Sequence, residues 1–151
     1  GIFMHAESPY SMRKDQQFPL SVELNILGTR FRSRPTGDVC TNGGVKISIN
    51  GSILTQQCSQ TSNITIRGQQ WVTAEAEVLG NDSIKHYVNG KLVAEYQHPR
   101  LDEHDPDAAI LLAAGTNKEI NDGYIGLESN GYPIEFRKIE MMEIDGIHTE
   151  K

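Results

Sequence analysis

Three of the Asn-Gly dipeptides in this chain constrain its fold more than any other feature of its sequence. They stand at residues 50–51, 89–90 and 130–131, and each is flanked by short runs rich in β-branched and aromatic residues. Asn-Gly is the strongest short-range hairpin signal, because both residues tolerate the positive φ angles of a two-residue turn. Three hairpins, with further short runs that end in Gly, Asn or Asp, predict an all-β protein built as an antiparallel sandwich or barrel.

The strand-like runs alternate between apolar and polar residues, as half-buried strands do. Along residues 20–26, one face carries Leu20, Val22, Leu24 and Ile26, and the other carries Ser21, Glu23 and Asn25. Residues 71–78 repeat this pattern. Two sheets that stack on their apolar faces leave two polar outer faces, and a curved polar face is a candidate surface for binding a sugar.

One segment departs from the strand pattern and predicts a short peripheral helix. Asp105 suits the N-cap of that helix, Pro106 its first turn and Gly115 its end. Residues 7–19 and 29–43 show no clear period and are predicted to form long loops.

The last apolar stretch, residues 122–144, predicts a closing hairpin around Asn130-Gly131. In its second strand Glu135 and Arg137 would share the face opposite Ile134 and Phe136. A guanidinium there could bind vicinal hydroxyls or an enolate oxygen. The alternative is a surface ion pair with little effect on stability.

Length and charge exclude several classes of protein. A chain of 151 residues is long enough for one core, so we expect a single domain over residues 1–151. The formal net charge of −6 argues against a nucleic-acid partner, because such binding needs clustered Lys and Arg. No apolar run is long enough to predict a membrane span.

Two cysteines, Cys40 and Cys58, enclose the turn signals "TNGG" and "NGS", which could fold the segment back on itself. We expect a disulfide between them, with two unpaired thiols as the alternative. A disulfide would place the protein outside a reducing cytoplasm. No signal peptide is visible at "GIFMH", so either the chain is mature or its start is missing.

An ordered series of motifs resembles the 3-keto-disaccharide hydrolase domain family, whose members have a concanavalin A-like jelly roll. The motifs are "GIFMHA", "SVELNIL", "WVTAEAEVLGNDSIKHYVNGKLVAEYQ" and "GYIGLESNGYPIEFRKIEM", which together extend over nearly all of residues 1–144. The family pattern matches through Arg137 and departs at Lys138. Family domains usually have several strands before the Gly-Ile-Phe strand, so the resemblance implies a domain that is incomplete at its N-terminus. A shortened sequence, a partner chain that supplies the strands, or strand exchange in a homo-oligomer would each explain this.

The resemblance implies a carbohydrate substrate and cleavage of 3-keto-glycosides. A ketone at C3 acidifies the hydrogen at C2, so a base can remove that proton, the anomeric substituent can leave by elimination, and water can then add. The alternatives are a non-catalytic glycan-binding module and a structural subunit that shares strands in an oligomer. The expected location is the periplasm or the outside of a bacterial cell.

The candidate catalytic residues are Glu23, His5 and His86. Glu23 matches the acidic position of the family's Glu-x-Gln/Asn strand, and its alternative is a solvated strand residue. The two histidines could act as acid, base or metal ligand, although a His between apolar neighbours is more often a packing residue. Asn25, Glu135 and Arg137 are the candidate substrate-binding residues. No metal-binding motif is present, so the cofactor stays unknown, with a divalent cation left open.

Overall fold

A computed structural model of the chain describes residues 1–29 and 35–144. In these ranges the chain forms two five-stranded antiparallel sheets, a short parallel ladder and one helix. The strands are β1 (Ile2–Ala6), β2 (Ser21–Asn25), β3 (Gly28–Thr29), β4 (Asp38–Asn42), β5 (Val45–Ile49), β6 (Ser52–Ile53), β7 (Cys58–Ser59), β8 (Ile66–Arg67), β9 (Ala74–Leu79), β10 (Ser83–Val88), β11 (Lys91–Leu101) and β12 (Tyr124–Leu127). The helix α1 extends over Pro106–Ala113.

The two sheets form an all-β sandwich, which confirms the predicted fold class. The first sheet has the strand order β12-β1-β2-β4-β7, and the second has the order β6-β5-β11-β10-β9. Strands β3 and β8 pair in parallel as a separate ladder.

The core lies between the apolar faces of the two sheets and takes side chains from both. Its buried members are Met4, Leu20, Val22, Leu24, Val39, Val45, Ile47, Ile84, Tyr96, Leu101 and Ala108. Each fully buried aliphatic side chain of this size contributes about 1.5–3 kcal/mol. The alternation read in residues 20–26 therefore sets which face of β2 packs inward and which stays polar.

Two of the three Asn-Gly hairpins form as the sequence predicts. Asn50-Gly51 joins β5 to β6 and Asn89-Gly90 joins β10 to β11, and all four residues have positive φ angles. That conformation is the one a two-residue hairpin turn requires.

The predicted closing hairpin is wrong in its second half. β12 forms, but residues 132–144 belong to no strand, and Glu135 and Arg137 therefore do not project from one. The turn is closed locally, because Gly131 N donates to Ser129 O and the Ser129 hydroxyl donates to Tyr132 O. Pro133 follows at once and has no N–H to give to a ladder.

The loop predicted over residues 29–43 is wrong in its second part as well. Residues 30–34 lie outside the described residues, but β4 forms at Asp38–Asn42, and its five residues are all buried. Val39 and Cys40 are the apolar residues of β4 and stand next to each other, so the sequence shows no alternation of apolar and polar residues that would indicate a strand. Residues 7–19 form turns and loop as predicted.

The helix α1 begins and ends where the sequence indicates. Asp105 Oδ1 accepts hydrogen bonds from the backbone N–H groups of Asp107 and Ala108, at 2.9 and 3.2 Å. Gly115 follows the helix with a φ of 93°. No helix in residues 1–29 and 35–144 is long and apolar enough to cross a membrane.

The predicted disulfide is confirmed. Cys40 and Cys58 are directly opposite each other in the β4–β7 ladder, and their sulfur atoms are bonded. The bond ties the two-residue edge strand β7 to the buried strand β4.

Removing the disulfide by the double substitution Cys40→Ala and Cys58→Ala is expected to lower the free energy of unfolding by about 3 kcal/mol, because the reduced chain loses a loop constraint when unfolded. Urea unfolding of the variant and the wild type, each with and without a reductant, measures the difference. Reductant should lower the stability of the wild type alone. Equal stability of all four samples would contradict a structural role for the bond.

Candidate functional site

A polar pocket of about 320 Å³ lies on the outer face of the first sheet. We call it the Glu23 pocket. Its lining comes from β2, β4 and β7, the loop before β2 and the turn after β12: Gln17, Phe18, Glu23, Asn25, Cys40, Asn42, Gln57, Cys58 and Asn130. Five of the nine lining side chains are carboxamides of Asn or Gln, and they share the pocket with the Glu23 carboxyl, so the pocket offers both donors and acceptors to a ligand.

The strand register places Glu23 at the centre of one row of residues. Phe3, Glu23, Cys40 and Cys58 are successive partners across β1, β2, β4 and β7. Directly opposite residues in an antiparallel ladder point to the same face. The disulfide therefore flanks Glu23 on one side, and the ring of Phe3 flanks it on the other.

The Glu23 carboxyl is buried, and polar neighbours hold it. Glu23 as a whole is only 6% exposed. Asn42 Nδ2 donates to Glu23 Oε2 at 3.3 Å and also lies 3.4 Å from Ser21 Oγ. Asn42 in turn is reached by Gln57 Nε2, which lies 3.4 Å from Asn42 Oδ1. The linked side-chain amides of Gln57 and Asn42 orient the Glu23 carboxyl in the pocket.

A second carboxyl meets Glu23 across Gly1. Gly1 pairs with Glu128, since Gly1 N donates to Glu128 O at 3.0 Å and Glu128 N donates to Gly1 O at 2.9 Å. This pairing turns the Glu128 side chain to the face that Glu23 occupies. A side chain at residue 1 would collide with Glu23 Oε1, so glycine leaves the space in which the Glu23 and Glu128 carboxyls share a hydrogen bond.

Burial and the neighbouring Glu128 carboxyl together raise the pKa of Glu23 to about 7, against the opposing effect of the Asn42 hydrogen bond. A carboxyl with this pKa is present in both the protonated and the ionised form at neutral pH. It can take up and return a proton without a large change in pH, which is what general acid–base chemistry requires.

Comparison with known protein families decides the family of the chain. The model of the 3-keto-alpha-glucoside-1,2-lyase-like domain matches residues 1–142. The chain belongs to this family. No curated protein and no solved structure gave a match. Membership confirms the resemblance seen in the sequence motifs and gives the chain a carbohydrate-related function.

The sequence identified only part of the pocket of this lyase-like domain. The structure brings Glu23 and Asn25 together there, and Asn25 Nδ2 lies 3.2 Å from Cys40 Sγ. Sequence reasoning missed Asn42, Gln57, Glu128 and Asn130. Glu128 follows β12 and comes beside Glu23 only through its backbone pairing with Gly1, a long-range contact that the sequence does not show. Asn42 lies in the unrecognised strand β4.

His5 lies in β1, in the same sheet as the pocket, but it is not one of the residues that line the pocket. It is 8% exposed, and its φ of 49° coincides with a break in the β1–β12 register. Its Nε2 donates to Gly80 O at 2.9 Å. Since Gly80 belongs to the turn between β9 and β10, the contact ties the first sheet to the second.

His86 lies in the core with both ring nitrogens occupied. Nδ1 donates to Gly37 O at 3.1 Å, which leaves Nε2 to accept from the Tyr96 hydroxyl at 2.9 Å. The imidazole is fully buried, and burial lowers the pKa of His86 to about 4. This packing keeps His86 neutral and away from the Glu23 pocket.

Glu135 and Arg137 lie outside the residues that line the pocket. The Arg137 guanidinium stacks on Trp71, with Cζ 3.9 Å from the ring centroid. Glu135 is exposed to solvent. Trp71 as a whole is still 49% exposed under this contact.

Among residues 1–29 and 35–144, no group of three or more His, Cys, Asp or Glu side chains is arranged to hold a metal ion. The sequence left a divalent cation open as a cofactor. The described part of the chain shows no such group of ligands that could hold it.

Replacing Glu128 by Gln is expected to lower the pKa of Glu23 from about 7, because the neighbouring negative charge is lost. The value stays above that of an exposed glutamate, since burial is the larger cause of the shift. Carbon-detected NMR titration of the Glu23 carboxyl measures it. Glu95→Gln, on an exposed position of the second sheet, is the matched control and leaves the Glu23 titration unchanged. An identical Glu23 titration in Glu128→Gln would show that the two carboxyls do not interact.

His86 makes stability depend on pH in a known direction. The unfolded chain binds a proton at His86 near pH 6.5, and the folded chain binds one only near pH 4. The free energy of unfolding is therefore unaffected by this group above pH 6.5, and it decreases as the pH falls towards 4. The loss amounts to about 3 kcal/mol. Urea unfolding between pH 4 and pH 7 is expected to show a shallower pH dependence in His86→Gln than in the wild type. The same pH dependence of the free energy of unfolding in both proteins would contradict a neutral, buried His86 imidazole.

Proposed function

We propose that this domain cleaves 3-keto-glycosides in the Glu23 pocket by C2 proton abstraction, elimination of the anomeric substituent and hydration. One observation carries the proposal: a buried carboxyl whose pKa is near neutrality stands among amide side chains in a lyase-like family domain. The carbohydrate-related function follows from the family, and the reaction steps are our inference from the pocket.

The chemistry begins at C2 because the C3 ketone acidifies the hydrogen on that carbon. Ionised Glu23 takes the C2 proton, and the electrons of the C–H bond form an enolate whose negative charge rests on the C3 oxygen. The C3 ketone then re-forms, the enolate electrons make a double bond between C1 and C2, and the C1–O bond to the leaving group breaks. The leaving oxygen takes a proton from solvent. Water then adds across the double bond, with its hydroxyl on C1 and a proton returned to C2, which gives the free 3-keto sugar.

Glu23 is suited to the role of this base by its protonation behaviour. A pKa of about 7 makes the carboxylate more basic than an ordinary glutamate while leaving a large ionised fraction at neutral pH. The proton that it takes is shared with the Glu128 carboxyl, and Asn42 holds the carboxyl in place. We assign Glu128 and Asn42 as positioning residues.

The amide side chains of the pocket bind the sugar in this proposal. Asn25, Gln57 and Asn130 line the same pocket as the carboxyl and carry N–H donors for the enolate oxygen and for ring hydroxyls. Arg137, the cation expected from the sequence, is stacked on Trp71 instead. The stabilisation of the enolate therefore rests on neutral hydrogen bonds. His5 and His86 have structural roles here.

The disulfide supports an oxidising location, and we propose the periplasm or the extracellular space. The core shared by the two sheets supports a single domain over residues 1–151.

Glu23→Gln is expected to lower the rate of aglycon release from a 3-keto-glucoside by about 10²–10⁴-fold, because the amide cannot accept the C2 proton. The wild-type rate should rise with pH and level off above about pH 7, as Glu23 becomes ionised. Chromogenic aglycon release measures both effects, with Glu95→Gln as the control that keeps the wild-type rate. Sugar binding without turnover by the wild type would contradict catalysis and favour a glycan-binding module.

A further inference from the structure

The Glu23 pocket contains one aromatic side chain to which the reaction steps give no role. Phe18 is the only aromatic residue among the nine that line the pocket, all of which lie in the described part of the chain. It belongs to the loop of residues 7–19 between β1 and β2, and it is half-buried. A half-buried ring in the wall of a polar pocket keeps part of its apolar surface available to a ligand.

Glu7 and Gln16 hold the loop on both sides of Phe18. Leu20 N donates to Glu7 Oε1 at 2.9 Å, and Glu7 N donates to Leu20 O at 2.9 Å. Gln16 Nε2 donates to the same Glu7 oxygen and also, at 2.9 Å, to Phe18 O. These hydrogen bonds fix the backbone before and after residue 18, so the position of the Phe18 ring is restricted.

A second contact ties the same loop to α1. The Arg13 guanidinium donates to Asp107 Oδ1 in the first turn of that helix. Arg13 N donates to Gln16 Oε1 at 3.2 Å, which links this ion pair to the side chain that holds Phe18. The helix itself is attached to the core through Ala108. The loop is therefore anchored to the sheet at one end and to the helix near its middle.

The order of residues along β2 gives the place of Phe18 in the pocket. Phe18 stands three residues before Ser21, which pairs with Asn42 in β4. Glu23 and then Asn25 are the next residues on the same face of β2, each about 7 Å further along the strand. Phe18 therefore lines the end of the pocket where β2 begins, Asn25 lines the other end, and the Glu23 carboxyl lies between them.

The two kinds of surface on a pyranose match this arrangement. A pyranose carries its hydroxyls around the rim of the ring and C–H groups on its two faces. The pocket amides suit the hydroxyls, whereas the face of an aromatic ring is negative in its charge distribution and attracts polarised C–H groups. A C3 ketone withdraws electrons from the C–H groups at C2 and C4, which makes a 3-keto ring a better partner for an aromatic face than an ordinary sugar.

We propose that Phe18 is a substrate-binding residue that stacks on one face of the 3-keto ring, and that Glu7 and Gln16 are positioning residues that hold it there. The proposal rests on the proposed function, since it assumes that the 3-keto ring binds beside Glu23. The stacking contact is the same before and during the reaction, so it lowers KM and leaves kcat unchanged.

The kinetic test uses methyl 3-keto-α-glucoside as the substrate. Phe18→Ala is expected to raise KM about 5-fold at an unchanged kcat, which corresponds to the loss of one aromatic contact. Phe18→Tyr keeps the ring and is expected to keep the wild-type KM. The matched control Tyr10→Ala removes an aromatic side chain from an exposed position of the same loop and also keeps the wild-type KM. A wild-type KM in Phe18→Ala, or a fall in kcat alone, would overturn the proposal.

A double-mutant cycle tests whether Glu7 acts through Phe18. Glu7→Ala removes the acceptor of Leu20 N and Gln16 Nε2 and is expected to raise the KM of the wild type about 3-fold. In Phe18→Ala protein the same change is expected to have a smaller effect, because no ring is left to position. Equal increases in both backgrounds would overturn the positioning role.

A binding test does not depend on turnover. In Glu23→Gln protein, saturation of the aromatic protons is expected to reduce the NMR signals of the C–H groups of bound methyl 3-keto-α-glucoside. The reduction is expected to be much smaller when Phe18→Leu is added, because leucine is apolar but has no aromatic protons. Equal reduction in both proteins would overturn the stacking even if the enzyme is active. Binding without turnover by the wild type would overturn the proposed function instead, and the difference between the two proteins would still decide whether Phe18 contacts the sugar.

Discussion

One row of paired residues in the first sheet determines where the polar groups of the pocket stand. Phe3, Glu23, Cys40 and Cys58 are opposite one another across four strands. Because side chains alternate between the faces of a sheet, a shift of one residue in β2 would turn Glu23 into the core and Leu24 outward. The burial of Val22 and Leu24 fixes the register of β2, and the disulfide fixes the register of β7 against β4. The same contacts that stabilise the sandwich thus place the candidate base.

The placement of Glu23 has a cost in stability. A buried carboxyl next to another carboxyl disfavours its own ionised form, which is why the pKa of Glu23 rises to about 7. The folded protein then holds a proton that the unfolded chain releases at lower pH, so this group destabilises the fold as the pH rises through that range. Glycine at residue 1 permits the contact, and the Asn42 hydrogen bond partly offsets its cost. Local conflicts of this kind are commonly found at functional sites.

The sequence predicted the features that depend on local chemistry. The Asn50-Gly51 and Asn89-Gly90 turns, the Asp105 helix cap and the inward face of β2 follow from backbone preferences and alternation, and all are present. Features that depend on distant partners were missed. β4 is a buried strand with polar residues, since Asp38 and Asn42 find partners from other segments. Alternation predicts a strand at Arg137, but Pro133 has no N–H for a ladder and the Ser129 contacts close the turn locally. Glu128 depends on its backbone pairing with Gly1.

Hydrogen exchange at C2 of the sugar tests the central claim most directly, namely that the Glu23 carboxylate removes a proton from a bound 3-keto ring. Methyl 3-keto-α-glucoside is incubated with the protein in D₂O, and the C2 proton signals of substrate and product are followed by NMR. Our account predicts deuterium at C2 faster than in buffer alone with the wild type, and only the buffer rate with Glu23→Gln. Exchange at the buffer rate with the wild type, or equally fast exchange with both proteins, would contradict it.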